Sequence, residues 1–256
     1  MNETLNTINK LRTIHGNFSD KEINASDLQT VCDAAIRAAN ASARQSYSII
    51  VVEDRKIMKK LCGFSGNKLL LFCVDFTRIA DMASYLDNEF KVADIVDFVT
   101  GSTDTILAAQ TAAITAKSLE IDSLFTNGIH RGDVERVFDI LELPQEYCFP
   151  LIALILGYPS EEPKYKKGRI KAGVIHYGKY SRLNSDEMQE LVKEYDDPTK
   201  HMGLYDNWKK EGFDHYLDWF FKKWIAPQKR RTDIQIFYKL LNRAGFLKPE
   251  EMNGKD

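Results

Sequence analysis

The sequence predicts an α+β fold, with one domain of buried strands and helices followed by a C-terminal helical extension. Residues 149–157 (FPLIALILG) form an unbroken apolar run, which is typical of a strand covered on both faces. Between Asp104 and residue 119 the only further charge is Lys117, so we predict a helix buried on almost every face and capped by Asp104. These two elements place the predicted centre of the molecule between residues 104 and 159.

The chain before this centre alternates between helical and strand patterns. Leu5, Ile8 and Leu11 recur at helical spacing, and Ser26 with Gln29 resembles a capping box before a second amphipathic helix. The further predictions are the second helix at residues 28–39, strands at 47–52 and 69–74, a short helix from Asp54 to Leu61, and helical segments at 76–86 and 92–99.

The chain after residue 119 continues with a predicted strand at 121–125, the turn Thr126-Asn127-Gly128 and, beyond residue 159, a polar and basic surface strap at 160–173. We predict a brief strand at 175–177, a helix capped by Ser185, and helices at 213–224 and 231–244. The aromatic stripe of residues 213–224 is predicted to pack on this protein or on a partner subunit, with a ligand cage as the alternative. We assign residues 1–180 to the core and residues 181–256 to the extension.

Composition and missing motifs narrow the function classes. With 35 basic and 37 acidic residues, the net charge of −2 gives no field that would favour nucleic acid. The four scattered cysteines, the polar N-terminus and the lack of a long apolar run predict a soluble cytoplasmic protein that binds no membrane. The nucleotide-binding and hydrolase motifs GxGxxG, GxxxxGK[ST], GxSxG and HExxH are absent, and the histidines do not have metal-ligand spacing. The basic run at residues 229–231 is interpreted as a solvated helix start, with phosphate contact as the alternative.

Three separated loops combine cations, hydroxyls or amides beside predicted buried structure. Arg12, Thr13 and His15 lie within one helical turn, and a guanidinium fork with a neighbouring hydroxyl suits a phosphate. The loop before the strand at 47–52 contains amide and hydroxyl donors at Asn40, Ser42 and Gln45. Lys167 and Arg169 add two cations to the strap. Together with the turn at 126–128, these loops predict a binding site for a phosphorylated, carbonyl-rich ligand.

These segments resemble the FMN-dependent nitroreductase and flavin reductase superfamily. RTIH (12–15) resembles its R-S-x-R motif, and NASARQSYSIIVV (40–52) resembles S-x-x-N-x-Q-P-W-x-F. From residue 104 to 169 the order of long helix, strand, glycine loop, helix, LP, apolar strand, GYP and basic strap is similar to the larger oxygen-insensitive NADPH nitroreductase branch. The resemblance implies a nitroreductase-like fold with a central, mostly antiparallel sheet flanked by helices.

The resemblance also implies a role for each loop residue. FMN would have its phosphate and the nearby ring edge bound by Arg12, Thr13 and His15. The ribityl chain and the pyrimidine end would face Asn40, Ser42 and Gln45 of the other subunit. The ring would lie beside Thr126, Asn127 and Gly128, with a backbone N–H of Asn127 or Gly128 directed at N5. Lys167 and Arg169 would contact the phosphate or the N1/O2 edge.

Several positions depart from the family pattern. His15 replaces an arginine, which makes that contact weaker and pH-dependent, and Gly16-Asn17 adds one residue. Ala43 replaces an asparagine and Ser46 a proline, while Gly168 replaces the proline of K-P-R and is expected to make the strap more flexible. These departures predict a flavin site of lower affinity.

The implied activity is ping-pong hydride transfer from NAD(P)H through FMN to nitroaromatics, quinones or flavins, with no side-chain general base. The implied partners are small planar acceptors and a second copy of the chain, in a homodimer with FMN at the interface. Two alternatives stay open, a flavin-binding relative with a specialised non-reductase activity and a non-enzymatic interaction domain.

Overall fold

A four-stranded antiparallel sheet is the centre of the fold in a computed structural model that describes residues 2–91, 94–225 and 233–247. The chain divides into two compact units, Met1–Glu162 with Thr232–Asp256, and Pro163–Arg231. The boundary at residue 180 between core and extension stays a prediction, and the basic run at 229–231 lies outside the described residues.

The elements follow one another along the chain in an α+β order. In chain order they are α1 (Glu3–Lys10), α2 (Ala25–Ala35), β1 (Tyr47–Val52), α3 (Arg55–Cys62), β2 (Lys68–Asp75), α4 (Thr77–Tyr85), α5 (Ile95–Ser118), β3 (Asp122–Thr126), α6 (Glu135–Leu141), β4 (Cys148–Gly157), α7 (Ser185–Asp196), α8 (Tyr216–Trp219) and α9 (Ile234–Arg243). Short 3₁₀ turns lie at Ala41–Ala43, Gly128–His130, Pro198–Lys200 and Trp208–Glu211, and a π-helical turn lies at Phe220–Trp224.

The strand order is β1-β2-β4-β3, and every neighbouring pair is antiparallel. The predicted strand at 47–52 and the long apolar run at 149–157 are both confirmed, and β4 lies in the middle of the sheet. All eight residues of β2 are buried, and its continuous apolar stretch, residues 69–74, is typical of a strand covered on both faces. The predicted α+β fold with an antiparallel sheet is therefore confirmed.

Both faces of the sheet are covered. One core contains Met58 and Leu61 of α3, Val137 of α6 and Leu240 of α9. The other contains Val31 of α2 and a row of small residues on α5, which lets that helix approach the sheet closely. This row is Ala108, Ala109, Ala112, Ala113 and Ala116.

The long helix α5 corrects two predictions. Helix α5 runs unbroken from Ile95 to Ser118 and so joins the described part of the segment predicted at 92–99 to the segment predicted at 104–119. Its N-cap is Asp94, which accepts from the Val96 N–H at 2.6 Å. The prediction that Asp104 caps a helix is wrong, because Asp104 lies in the helix interior and is 1% exposed. The prediction that the helix over 104–119 is buried on nearly every face is also wrong for a single chain, because Ile106 and Leu107 are exposed. Before this range, Ile95, Val96 and Val99 of α5 are exposed as well.

Other boundaries move by a few residues for local reasons. Asn24, not Ser26, caps α2 by accepting from the Asp27 N–H, and the helix ends at Ala35 rather than at residue 39. Asn184, not Ser185, caps α7 and forms a capping box with Glu187. The strand predicted at 175–177 is wrong, since those residues have no strand partner, and the helix predicted at 213–224 shortens to α8 and the π-helical turn.

The second unit has its own small aromatic core. Trp208, Tyr216 and Trp219 are buried together, and Tyr195 stacks on Tyr216 with ring centroids 5.7 Å apart. Phe213, Tyr216, Leu217 and Phe220 of the predicted aromatic stripe therefore pack within this unit, whereas Phe221 and Trp224 are exposed. Across the part of the chain that the structure describes, no helix combines the length and apolar character needed to cross a bilayer.

Candidate functional site

The segment after α1 lies along the outer edge of β3. Thr13 forms a parallel bridge with Ser123, and the Ile14 N–H donates to the Ser123 carbonyl at 3.0 Å. Ile14 is 4% exposed and anchors the segment, whereas Thr13 and His15 on either side of it are exposed. Because successive side chains of an extended segment point to opposite sides, Thr13 and His15 share one solvent-facing side.

The Arg12 guanidinium is bound by two carboxylates. It donates from Nε and Nη2 to Asp122, with a shortest distance of 2.6 Å, and from Nη1 and Nη2 to Glu162 at 2.7 and 3.2 Å. The hydrogen bonds to Asp122, and then those to Glu162, raise the pKa of Arg12 above its ordinary value. The fork that the sequence predicts for a phosphate therefore binds carboxylates in this structure.

Asp122 is the anchor of this cluster. Its side chain is 2% exposed and accepts a second cation, Lys117 Nζ, at 2.8 Å. Burying a carboxylate is expensive unless it is paired and hydrogen-bonded, and here Arg12 and Lys117 do both. The cluster of Arg12, Lys117, Asp122 and Glu162, named here the edge cluster, attaches the segment after α1 to β3 and α5.

The turn at the other end of β3 is held by close packing. A Cβ on Gly128 would lie 2.2 Å from the carbonyl oxygen of Cys62, so only glycine fits at this position. The Gly128 N–H donates to Thr126 Oγ1 at 2.9 Å and is therefore engaged inside the turn. The Asn127 side chain is exposed at the apex. From Ser123 to Asn127 the strand rises about 13 Å, so the segment around Thr13 and the turn at 126–128 lie at opposite ends of this edge strand.

A histidine next to this turn is a structural donor. His130 Nε2 lies 2.8 Å from the Pro150 carbonyl oxygen, and burial lowers the pKa of His130 from its ordinary value. The ring is therefore neutral at physiological pH and donates its N–H to that carbonyl.

The loop before β1 is closed by its own side chains and by Asp104. Asn40 Oδ1 accepts from the Gln45 N–H at 3.2 Å. Asp104 accepts from the N–H groups of Ala41 at 2.8 Å and Ser46 at 3.3 Å. Ser42 is exposed on this loop. The buried Asp104 therefore holds the loop against α5, a role that the sequence reading missed.

Unsatisfied polar atoms gather around the same loop. Within the described ranges, four buried side-chain atoms of the 44–47 segment and the helix beside it have no hydrogen-bond partner. They are Arg44 Nε, Ser46 Oγ, Tyr47 OH and Ser102 Oγ. Buried polar groups are nearly always paired, so these four atoms have the capacity to bind a water, an ion or another molecule.

A single chain does not bring the loop before β1 and the segment around Thr13 together. The loop precedes β1 at one edge of the sheet, whereas Thr13 lies against β3 at the other edge, three strand spacings or about 14 Å across. They also lie at opposite ends of the strands. Tyr47 pairs with Val74, which is level with Phe149, whereas Ser123 pairs with Leu156.

Lys167 and Arg169 belong to the second unit, so their part in the site stays a prediction. Lys167 Nζ donates to the Gly203 carbonyl, and Arg169 Nη1 donates to the Gly168 carbonyl at 2.8 Å. A Cβ on Gly168 would lie 2.4 Å from the Lys200 carbonyl oxygen and from Met202 Sδ. Gly168 therefore permits close packing of the strap against Lys200 and Met202, whereas the sequence predicted that it would make the strap more flexible.

The polar groups of these segments are of the kinds that bind a phosphorylated ring cofactor. At one end of β3, Thr13 and His15 offer a hydroxyl and an imidazole beside a guanidinium, and at the other the turn at 126–128 offers backbone. The orphaned polar atoms near the Asn40 loop add unpaired donors and acceptors. The residues present therefore fit such a group. Among the described residues no group of three or more His, Cys, Asp or Glu could hold a metal ion.

Comparison with known proteins finds relatives along nearly the whole chain. A CR(VI) reductase of Pseudomonas sp. (strain G-1) is 30% identical over an alignment 260 positions long. The alignment covers 95% of this chain and 98% of that protein. The FMN reductase (NAD(P)H) of Bacillus subtilis (strain 168) is 28% identical, covering 96% and 98%.

Solved structures give the same extent of similarity. The NfrA1 nitroreductase from B. subtilis superposes with a TM-score of 0.79 at 25% identity, covering 95% of this chain and 99% of that one. NfrA2 of B. megaterium gives a TM-score of 0.77 at 26% identity, covering 97% and 100%. No protein-family model matches the chain.

Proposed function

The chain belongs to the nitroreductase/NADPH-flavin reductase family of NAD(P)H-dependent oxidoreductases, and on that premise we propose that it binds FMN and reduces flavins, quinones or nitroaromatics by ping-pong hydride transfer. FMN supplies the two-electron chemistry when bound, while the protein supplies binding, orientation and electrostatics.

The observation that carries this proposal is the arrangement along β3. Thr13 and His15 share one solvent-facing side at the start of the strand, and the Asn127 turn lies about 13 Å away at its end. We assign the phosphate to Thr13, His15 and the guanidinium of Arg12, and the ring to the turn. Since the Gly128 N–H is engaged by Thr126, the N–H directed at N5 is assigned to Asn127.

The second half of the site is assigned to another copy of the chain. Asn40, Ser42 and Gln45 lie at the far edge of the sheet from Thr13, so they reach the same ligand only from a second subunit. The orphaned polar atoms near that loop and the exposed apolar side chains of α5 both support a homodimer, since large exposed apolar patches mark interaction sites.

From the family resemblance alone, Lys167 and Arg169 stay proposed cations for the phosphate or for the N1/O2 edge, where positive charge stabilises a reduced, anionic ring. No side chain is assigned as a general base, because hydride transfer to and from the ring does not require one. Small planar acceptors fit a shared site of this kind. We also propose a cytoplasmic location, to which four free cysteines are suited.

Steady-state kinetics with saturating FMN test this function. We expect oxidation of NADPH or NADH with a quinone, a nitroaromatic or free flavin as acceptor, and parallel lines in double-reciprocal plots at varied acceptor concentration. Thr13→Val, which removes one hydroxyl from an exposed position, should weaken FMN binding. Intersecting lines, or no oxidation with any of the three acceptors, would contradict the proposal.

A further inference from the structure

The guanidinium of Arg12 has almost no donor left for a ligand. Of its five N–H groups, Nε and one on Nη2 are directed at Asp122, and the second on Nη2 and one on Nη1 are directed at Glu162. Only one N–H of Nη1 stays available. A phosphate that uses the guanidinium fork must therefore replace one of the two carboxylates.

The two carboxylates differ in how readily they can be replaced. Asp122 is 2% exposed and is also bound by Lys117, so its withdrawal would leave two cations without their buried partner. Glu162 is 75% exposed, and its side chain can turn into water. Ion pairs at such exposed positions are weak, so the Glu162 side of the fork is the one that a ligand can take.

Phosphate and carboxylate are suited to the same two donors. Each can accept from the two Nη groups in a bidentate manner, and a phosphate monoester carries close to two negative charges at neutral pH where Glu162 carries one. Arg12 lowers the pKa of Glu162 through their hydrogen bonds, so Glu162 is ionised under the same conditions. The occupant of the fork is therefore decided by competition between two anions.

The charges of the edge cluster make Glu162 the controlling residue. Arg12 and Lys117 carry two positive charges, and Asp122 and Glu162 carry two negative charges, so the cluster is neutral. Without the Glu162 charge the cluster would carry one net positive charge beside Thr13 and His15. Lys10 and Glu120, each two residues before a member of the cluster, form an exposed pair that is itself neutral.

We propose that Glu162 is a specificity-determining residue that competes with the flavin phosphate for the Nη edge of Arg12 and so limits how strongly this chain prefers FMN over unphosphorylated riboflavin. This inference rests on the proposed function, because it requires a flavin site in which the phosphate lies at Arg12. It concerns only the binding of the phosphate and does not depend on how the ring of the flavin is bound.

The test compares flavin binding to the wild type and to Glu162→Gln, which keeps the shape of the side chain and removes its charge. Dissociation constants for FMN and riboflavin are measured by quenching of flavin fluorescence and by calorimetry, independently of turnover. We expect Glu162→Gln to bind FMN about five-fold more tightly, which is the size of an exposed ion pair. Riboflavin, which has no phosphate, should bind with unchanged affinity.

Glu161→Gln is the matched control. It removes the same charge from the neighbouring exposed residue, which is not one of the carboxylates that bind Arg12. An equal gain for FMN in both variants, an equal gain for both flavins, or no change in Glu162→Gln would overturn the inference while flavin binding itself persists. If neither the wild type nor the variants bind either flavin, the proposed function fails and the inference fails with it.

Discussion

Replacing Asp104 with alanine removes the carboxylate that holds the loop before β1. In the folded protein this buried side chain accepts from the N–H groups of Ala41 and Ser46 at 2.8 and 3.3 Å. Asp104→Ala leaves the buried Ser46 N–H and the partly buried Ala41 N–H without this acceptor. The helix that carries Asp104 is not interrupted, because alanine is the best helix former.

The expected loss of stability follows from the two donors. Leaving a buried backbone N–H unsatisfied costs about 1 to 3 kcal/mol, and the partly buried Ala41 N–H adds about 1 kcal/mol, so Asp104→Ala should lower the free energy of unfolding by about 2 to 4 kcal/mol. Asp104→Asn keeps one acceptor oxygen and should lose about half as much. A helix cap at this position would instead contribute about 1 kcal/mol.

Urea denaturation followed by circular dichroism measures the difference, with Asp94→Ala as the control. Asp94 caps α5 through the Val96 N–H, so its loss should cost about 1 kcal/mol. With a slope of about 3 kcal/mol per molar urea, Asp104→Ala should move the midpoint by about 0.7 to 1.3 M. Hydrogen exchange at Ala41 and Ser46 should accelerate in Asp104→Ala and not in Asp94→Ala. Equal midpoint shifts and unchanged exchange at both amides would refute the assigned role of Asp104.

Three further outcomes follow from other parts of the structure. Gly128→Ala should lower stability by about 1 to 3 kcal/mol in thermal unfolding, because its Cβ would lie 2.2 Å from the Cys62 carbonyl oxygen, and a variant as stable as the wild type would contradict that packing. His215 donates to Asp196 at 2.6 Å, which raises the pKa of His215, so the pair stabilises the fold fully below the ordinary histidine pKa and is lost as pH rises through the raised value. His215→Gln should therefore shift the urea midpoint more at about pH 5.5 than at about pH 8.5, and equal shifts would count against this linkage. If the exposed face of α5 forms a homodimer, Ile106→Asp should halve the mass measured by light scattering, and a monomeric wild type at micromolar concentration would exclude that interface.

Much of the fold could be predicted because its signals are local. The strand at 47–52 and the central strand β4 are short apolar runs bounded by polar residues, and Asp54 immediately precedes the helix that it caps. The caps of α2 and α7 were missed by one or two residues because asparagine, serine and aspartate are all good caps. Sequence alone does not decide among neighbours of equal propensity.

The candidate site was less predictable because its partners are distant in sequence. Arg12 and Asp122 are 110 residues apart, and Asp104 accepts from amides that precede it by about 60 residues. The one available signal was a charged residue in an apolar helix, as at Asp104 and Lys117, which indicates a buried partner. Sequence alone does not distinguish a buried carboxylate with a distant partner from an exposed helix cap.

The retention of FMN by the purified protein tests directly whether this chain binds the cofactor. The protein is saturated with FMN, separated from the excess by gel filtration, and examined by visible absorption before and after heat release of the ligand. We expect one FMN to be retained per chain and less to be retained by Thr13→Val. A colourless protein after saturation would contradict it.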